Sequence, residues 1–203
     1  MLVVLFALSL SLSMSAQTKP GTPGQKSAPA QSPSSEDAIR KMMQDAQPGP
    51  VHKQLLQRVG DYTVTTRLVQ GGAPQGKETT TTARFVPIIG GRFLMEGDGG
   101  TPGQTDFSSF RLWGYNNAAQ HYEAVWTYDK STSMMFMSGN ASSDGKTVTY
   151  RAGWQKSATE TERVTVTVTQ INADKFVIRM ISAAGEKGPI LEETYERVQG
   201  KTK

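Results

Sequence analysis

The sequence predicts an all-β protein, an antiparallel up-and-down barrel of about 8–10 strands with a short N-terminal helix closing one end. Three observations carry this. After Gly60 the apolar period changes from 3.6 to 2. Short runs of that period then follow one another at near-regular spacing, separated by Gly, Asn and Asp turn signals. Every connection is short enough for a next-neighbour hairpin, which is the meander of a closed barrel rather than the Greek key of a sandwich.

The elements follow in chain order. Residues 1–16 carry no charge and run from Leu2 through Leu10 as an apolar stretch ending in Ser and Ala. The stretch is too short to span a bilayer and ends as a secretory signal ends, so cleavage is expected after Ala16, or failing that after Ser15. No Lys or Arg precedes the run; a start placed upstream would supply one. Export follows, to the periplasm or the medium, with no transmembrane segment in the mature chain. Residues 17–35 are Pro, Gly, Ser, Thr, Gln and Ala with Lys19 and Lys26 the charges before Ser35. Such a segment cannot bury enough to offset its chain entropy, and a disordered spacer is expected.

A short helix over residues 36–47 is opened by Ser34-Ser35-Glu36-Asp37, with Ala38, Ile39, Met42, Met43 and Ala46 at helical spacing. Gln47-Pro48-Gly49-Pro50 stops it. A second short helix starts at Pro50, carries Val51, Leu55, Leu56 and Val59 as its stripe, and ends at Gly60. This helix precedes the first strand and is placed to cover a barrel end. The barrel domain is expected over residues 48–199, its strands at 62–69, 79–86, 92–96, 107–115, 122–128, 133–138, 147–154, 162–170, 175–182 and 190–198. The clearest is Val164-Thr165-Val166-Thr167-Val168-Thr169, a strict alternation with β-branched residues on both faces.

Composition removes several functions. The chain has 203 residues, enough to bury a full core, and no cysteine, so disulfides, thiolate ligands and cysteine nucleophiles are out. The net charge of +4 is spread among interleaved acids, which is not the footprint of a nucleic-acid binder. No Gly-x-Ser-x-Gly elbow, phosphate loop or dinucleotide fingerprint occurs, and no cofactor is expected. Gly97 to Gly103 is Gly-rich but lacks the following helix and lysine of a phosphate cradle.

The run Pro48-Gly49-Pro50-Val51-His52-Lys53, then Leu55-Leu56 and Val59-Gly60-Asp61-Tyr62, resembles the opening of the bacterial DUF1579 family. Gly90-Gly91-Arg92-Phe93-Leu94 is similar to the family's Gly-Gly-Arg-Phe-Leu strand. Gly114-Tyr115-Asn116, then Tyr122, Trp126 and Asp129, resemble its Gly-Tyr-Asp…Tyr…Trp-x-Asp stretch, and Ser138-Gly139, Asp144-Gly145 and Tyr195-Glu196-Arg197 complete the likeness. Tyr62 stands where the family usually has Trp, Asn116 where it has Asp, and Tyr128-Asp129 replaces an Asp-Ser-type pair. What the resemblance implies is a lipocalin-like barrel, not an activity. Gly60-x-Tyr62 is also similar to the Gly-x-Trp start of lipocalins.

Candidate chemistry is sparse. The two histidines, His52 and His121, have no ligand spacing, so no metal site is expected. His52 is read as a residue of the helix–barrel seam, with axial ligation of a haem in the cavity as the weaker alternative. His121 is expected to face solvent. Period 2 places Tyr122, Trp126 and Tyr128 on one face of their strand, and Arg111, Trp113 and Tyr115 on one face of the neighbouring strand. Tyr195 and Arg197 share a face of the last. These eight residues form the expected ligand site, the aromatics lining a lumen and the arginines and Tyr195 anchoring a polar end. The competing reading pairs Arg111 with Glu96, Glu123 or Glu193 across strands.

Three functions stay open. The one carried forward is a carrier of a small hydrophobic or amphipathic molecule. The second is an envelope partner-binding module with a filled barrel, working through a Met-rich surface that includes Met134, Met135 and Met137. The third is an acid–base enzyme using Glu96, Asp98 or His52.

Overall fold

A computed structural model describes residues 34–98, 108–182 and 185–199. The expected signal segment, the 17–33 part of the spacer and the Gly-rich stretch from residue 99 lie outside the described residues. Ten strands form one sheet in which each pairs antiparallel with its sequence neighbour, and the first pairs with the last. In order they are β1 (Gly60–Gln70), β2 (Ala73–Ile88), β3 (Phe93–Asp98), β4 (Ser109–Asn116) and β5 (His121–Tyr128). There follow β6 (Met135–Ala141), β7 (Thr147–Gln155), β8 (Thr161–Asn172), β9 (Lys175–Ser182) and β10 (Pro189–Arg197). Closure comes from β1 on β10, with Tyr62 opposite Arg197 and Val64 opposite Tyr195. The expected barrel is therefore the observed one.

The period-2 pattern does the sorting. Tyr62 and Val64 on β1, Ala83 and Phe85 on β2, Trp113 on β4, Val164, Val166 and Val168 on β8 and Phe176 and Ile178 on β9 all point inward and are buried. Each large side chain so placed contributes about 1.5–3 kcal/mol. Their rings interlock near one end: Tyr62 meets Phe85 edge-on at 5.3 Å, and Phe176 stacks on Tyr195 at 4.4 Å. The threonines of β8 face out. Gly139 on β6 has no room for a side chain, because a Cβ there would run into the Thr149 carbonyl of β7.

Strand β2 is longer than expected. Pro74 and Gly76 make residues 73–78 read as loop, yet Ala73, Pro74 and Gln75 pair with β1 opposite Gln70, Val69 and Leu68, and the register shifts before Thr79. Before Ala83 this strand pairs with β1 alone, and β2 is exposed from Ala73 to Thr82, so packing cannot be what shapes it. Its tip is set by Gly71 and Gly72, both at positive φ as a two-residue hairpin turn requires.

Among the described residues two helices precede the barrel. The first, α1 (Ser35–Asp45), is capped by Ser34 Oγ accepting from the Asp37 N–H. It buries no residue, and Ile39, Met42 and Met43 are exposed. Its C-terminal end alone is tied down, by Asn117 Nδ2 donating to the Asp45 and Gln47 carbonyls and Arg92 Nε to the Ala46 carbonyl. The second, α2 (Pro50–Leu56), buries His52 and Leu55 and lies at the barrel end where β1 begins. Among the described residues no helix is long and apolar enough to cross a membrane.

Candidate functional site

The middle of the barrel is polar and full. Glu96, Asp98, Arg111, Glu193 and Tyr195 arrive on β3, β4 and β10 as inward positions of the same alternation that buries the apolar core. Arg111 Nη1 donates to Glu96 Oε1 at 2.7 Å, and its Nη2 reaches Glu193 at 2.9 and 2.8 Å. Tyr195 donates to Glu96 Oε1 at 2.6 Å, and the Trp113 indole N–H to Glu96 Oε2 at 2.7 Å. The guanidinium also lies 4.5 Å from the Trp126 ring centre. Glu96 is 1% and Arg111 3% exposed. Burial works against the arginine's charge, but Glu193 and Glu96 outweigh it and hold its pKa well above the ordinary value. Burial raises the Tyr195 phenol well above its usual range, so this hydroxyl is a donor.

Asp98 is the odd member. Its Oδ2 is 3.6 Å from Arg111, and its buried Oδ1 has no hydrogen-bond partner among the described residues. Burial, reinforced by the Glu96 charge, pushes its carboxyl up to about 7 against the pull of Arg111. The imbalance is plain: three carboxylates share one guanidinium. What this cluster can do is hold the barrel in one register and store a proton. It cannot host a cargo, because the space between Arg111, Trp113, Trp126 and Met180 is about 10 Å³, at the lower limit for a single water.

The sequence-predicted residues thus divide. Arg111, Trp113 and Tyr195 belong to the buried network, where the cross-strand pairing with Glu96 and Glu193 takes up the arginine; Glu123 lies on the outer face. Trp126 is half-buried, with its indole N–H on Ser109 Oγ at 2.8 Å, and Tyr128 beside it is exposed near that strand end. Tyr115 and Tyr122 meet edge-on at 5.1 Å toward the α2 end. Arg197 clamps α2, donating to the Val59 and Gln57 carbonyls at 2.6 and 2.7 Å and to Asp174 at 3.0 Å while covering Tyr62. Of the eight residues expected to share one lumen, Arg111, Trp113 and Tyr195 are packed in the centre, while Tyr122 and Arg197 border open space at the α2 end. His52 accepts the Gly49 N–H on Nδ1 at 3.0 Å and meets Tyr115 edge-on, the seam role. His121 faces out, beside Glu123. The Met cluster is not a surface: Met135 and Met137 are in the core and Met134 alone is exposed.

Two hollows remain. One, of about 510 Å³, lies at the α2 end among α2, the β6–β7 turn and the β8–β9 turn. Leu55, Tyr122 and Val148 give it apolar wall, and Arg58, Gln170 and Arg197 its polar groups. Its volume is in the range of small-molecule sites. Arg58, which follows α2, turns inward: Nε donates to Gln170 Oε1 at 3.3 Å and the guanidinium lies 5.0 Å from the Phe176 ring centre. Burial lowers its pKa, with Tyr150 and Glu96 partly compensating. The other hollow, about 460 Å³, is a groove on the outside of β3 to β6 walled by Phe93, Leu112, Val125 and Phe136.

Fold and site together define a closed ten-stranded antiparallel barrel with a charged, packed centre and a cavity at one end. Residues 47–197 match the model of the family described as protein of unknown function DUF1579, and the chain belongs to that family. Among solved structures it is similar to a redesigned β-barrel, at 11% identity over 70% of this chain and 93% of that one, with a TM-score of 0.32. So low a score carries no argument, and the fold stands on the strand pairing above. No curated protein matches the chain.

Proposed function

We propose that this is an exported binding protein for a small apolar or amphipathic molecule, which sits in the end cavity beneath α2 rather than in the barrel centre. The observation behind this reading is a cavity of about 510 Å³ that combines an apolar wall with a few convergent polar groups. The packed centre supports it indirectly: a rigid barrel is what holds such a wall in place. Export rests on the apolar run at residues 1–16. Expression of the full chain in a bacterial host, with mass measurement of the product, should find a protein beginning at Gln17 outside the cytoplasm; a cytoplasmic product retaining Met1 overturns this part.

The binding reading is tested with a neutral apolar fluorophore, N-phenyl-1-naphthylamine, titrated into the full chain. Saturable binding is expected, lost in Val148→Trp, which fills the cavity, and kept in Phe136→Ser on the outer groove. The second reading, an envelope module that docks a partner on its surface, draws on that groove and on Phe136, 67% exposed at its wall. Loss of the probe in Phe136→Ser with retention in Val148→Trp would transfer the site to the outer face.

A further inference from the structure

The end cavity holds one cation without an acid. Among the described residues no carboxylate forms a salt bridge with Arg58, whose one side-chain hydrogen bond goes from Nε to the neutral Gln170. The other cation on the wall is already matched, since Arg197 is paired with Asp174 at 3.0 Å and its Nη groups serve the Gln57 and Val59 carbonyls. The site therefore carries one positive charge with no acid in contact, Glu96 acting on it only from a distance, part-way inside the barrel and among the rings of Phe176, Tyr62 and Tyr122. A guanidinium placed so is expected to have an anionic partner, and its planar fork suits a carboxylate.

We propose that the molecule held beneath α2 is a monoanion, its carboxylate bound by Arg58 beside Gln170 and its apolar body laid against Leu55, Tyr122 and Val148. The inference rests on the cavity being the ligand site. It excludes a doubly charged head group, because Arg197 has no charge to spare and Asp174, half-exposed at the rim, repels a second one.

The test compares three probes that share a chain and differ at one end: decanoate, decanol and decyl phosphate, titrated calorimetrically into the full chain at mildly alkaline pH. Decanoate is expected to bind about tenfold or more tighter than decanol, the gain of a charge-assisted hydrogen bond, and at least as tightly as decyl phosphate. Arg58→Gln should bring decanoate down to decanol and leave decanol unchanged. Equal affinity for acid and alcohol in the unmodified protein overturns the proposal, as does an acid preference that survives Arg58→Gln or a clear preference for the phosphate. The acid–alcohol comparison in the unmodified protein needs no variant to fold. Val148→Trp separates the two levels. If acid and alcohol bind equally and both are lost in Val148→Trp, the cavity stands and the head-group assignment falls; if neither is lost, or none of the probes binds, both fall.

Discussion

Arg111 Nη2 sits between the two carboxylate oxygens of Glu193, 2.9 Å from one and 2.8 Å from the other, while Nη1 of the same group holds Glu96. These contacts join β4 to β3, its neighbour, and to β10 across the barrel. One guanidinium therefore sets the spacing of strands that no single hairpin connects.

Removing that cation leaves buried acids without a counter-charge. Arg111→Met is expected to cost about 3–5 kcal/mol in urea unfolding at neutral pH, the loss typical of breaking one side of a buried pair. A loss below about 1 kcal/mol would mean that the carboxylates shed their charge or reach water without penalty.

Asp98 makes stability depend on pH in a direction opposite to most carboxylates. Its native carboxyl titrates at about 7 against an ordinary 3.8. Between those values the folded chain keeps a proton that the unfolded chain has released. The stabilisation is full below the lower value, declines as pH rises, and is gone above the upper one. Asp98→Asn should match the unmodified protein at about pH 4 and exceed it by about 2–4 kcal/mol at about pH 8. Urea midpoints at both pH values decide it, and a difference between the two proteins that stays constant across the range sinks the idea.

Arg197 is the fastening of α2. Arg197→Met removes its hydrogen bonds to the Gln57 and Val59 carbonyls and its bridge to Asp174. Amide exchange over residues 50–58 should quicken more than over β8, with about 2–3 kcal/mol lost overall. Uniform acceleration throughout the chain would show that the clamp serves the whole barrel instead.

Ile89 sits in the β2–β3 turn with φ at 49°, a left-handed conformation that a β-branched residue resists, and its side chain is 65% exposed. Ile89→Asn should raise stability by about 1 kcal/mol, because Asn tolerates that conformation and no buried contact is lost. A fall in the thermal midpoint would reveal a contact made by Ile89 that offsets its strain.

The strands were legible because burial on one face writes itself into the sequence: β8 is Val and Thr in alternation, and β4 and β5 put Trp113 and Tyr122 on the inward side as period 2 requires. The start of helix α2 was legible from Pro50, but its end was not: the helix stops at Leu56, and Gly60, expected to end it, opens β1. Residues 73–78 were not, since this exposed part of β2 has no buried face to impose a pattern on. The network was half-legible. Glu96 and Asp98 could be placed on one face and Glu193 named as a partner for Arg111, but which acids meet it depends on barrel closure, which brings β10 opposite β4. Arg58 was missed, although it stands three residues after Leu55 and seven after Val51, just past the end of α2, where the stripe expected for that helix continues. A charge at an apolar position of a covering helix was the signal.

Closure also has an order in time. The partner of β1 is β10, the last strand of the barrel, so during synthesis the earliest strand keeps one edge unmatched until β10 has emerged. Neither Glu193 nor Tyr195 exists for Arg111 until that moment. The barrel consequently cannot be completed piecemeal from its N-terminal end, and its first seam stays open until its last strand is made.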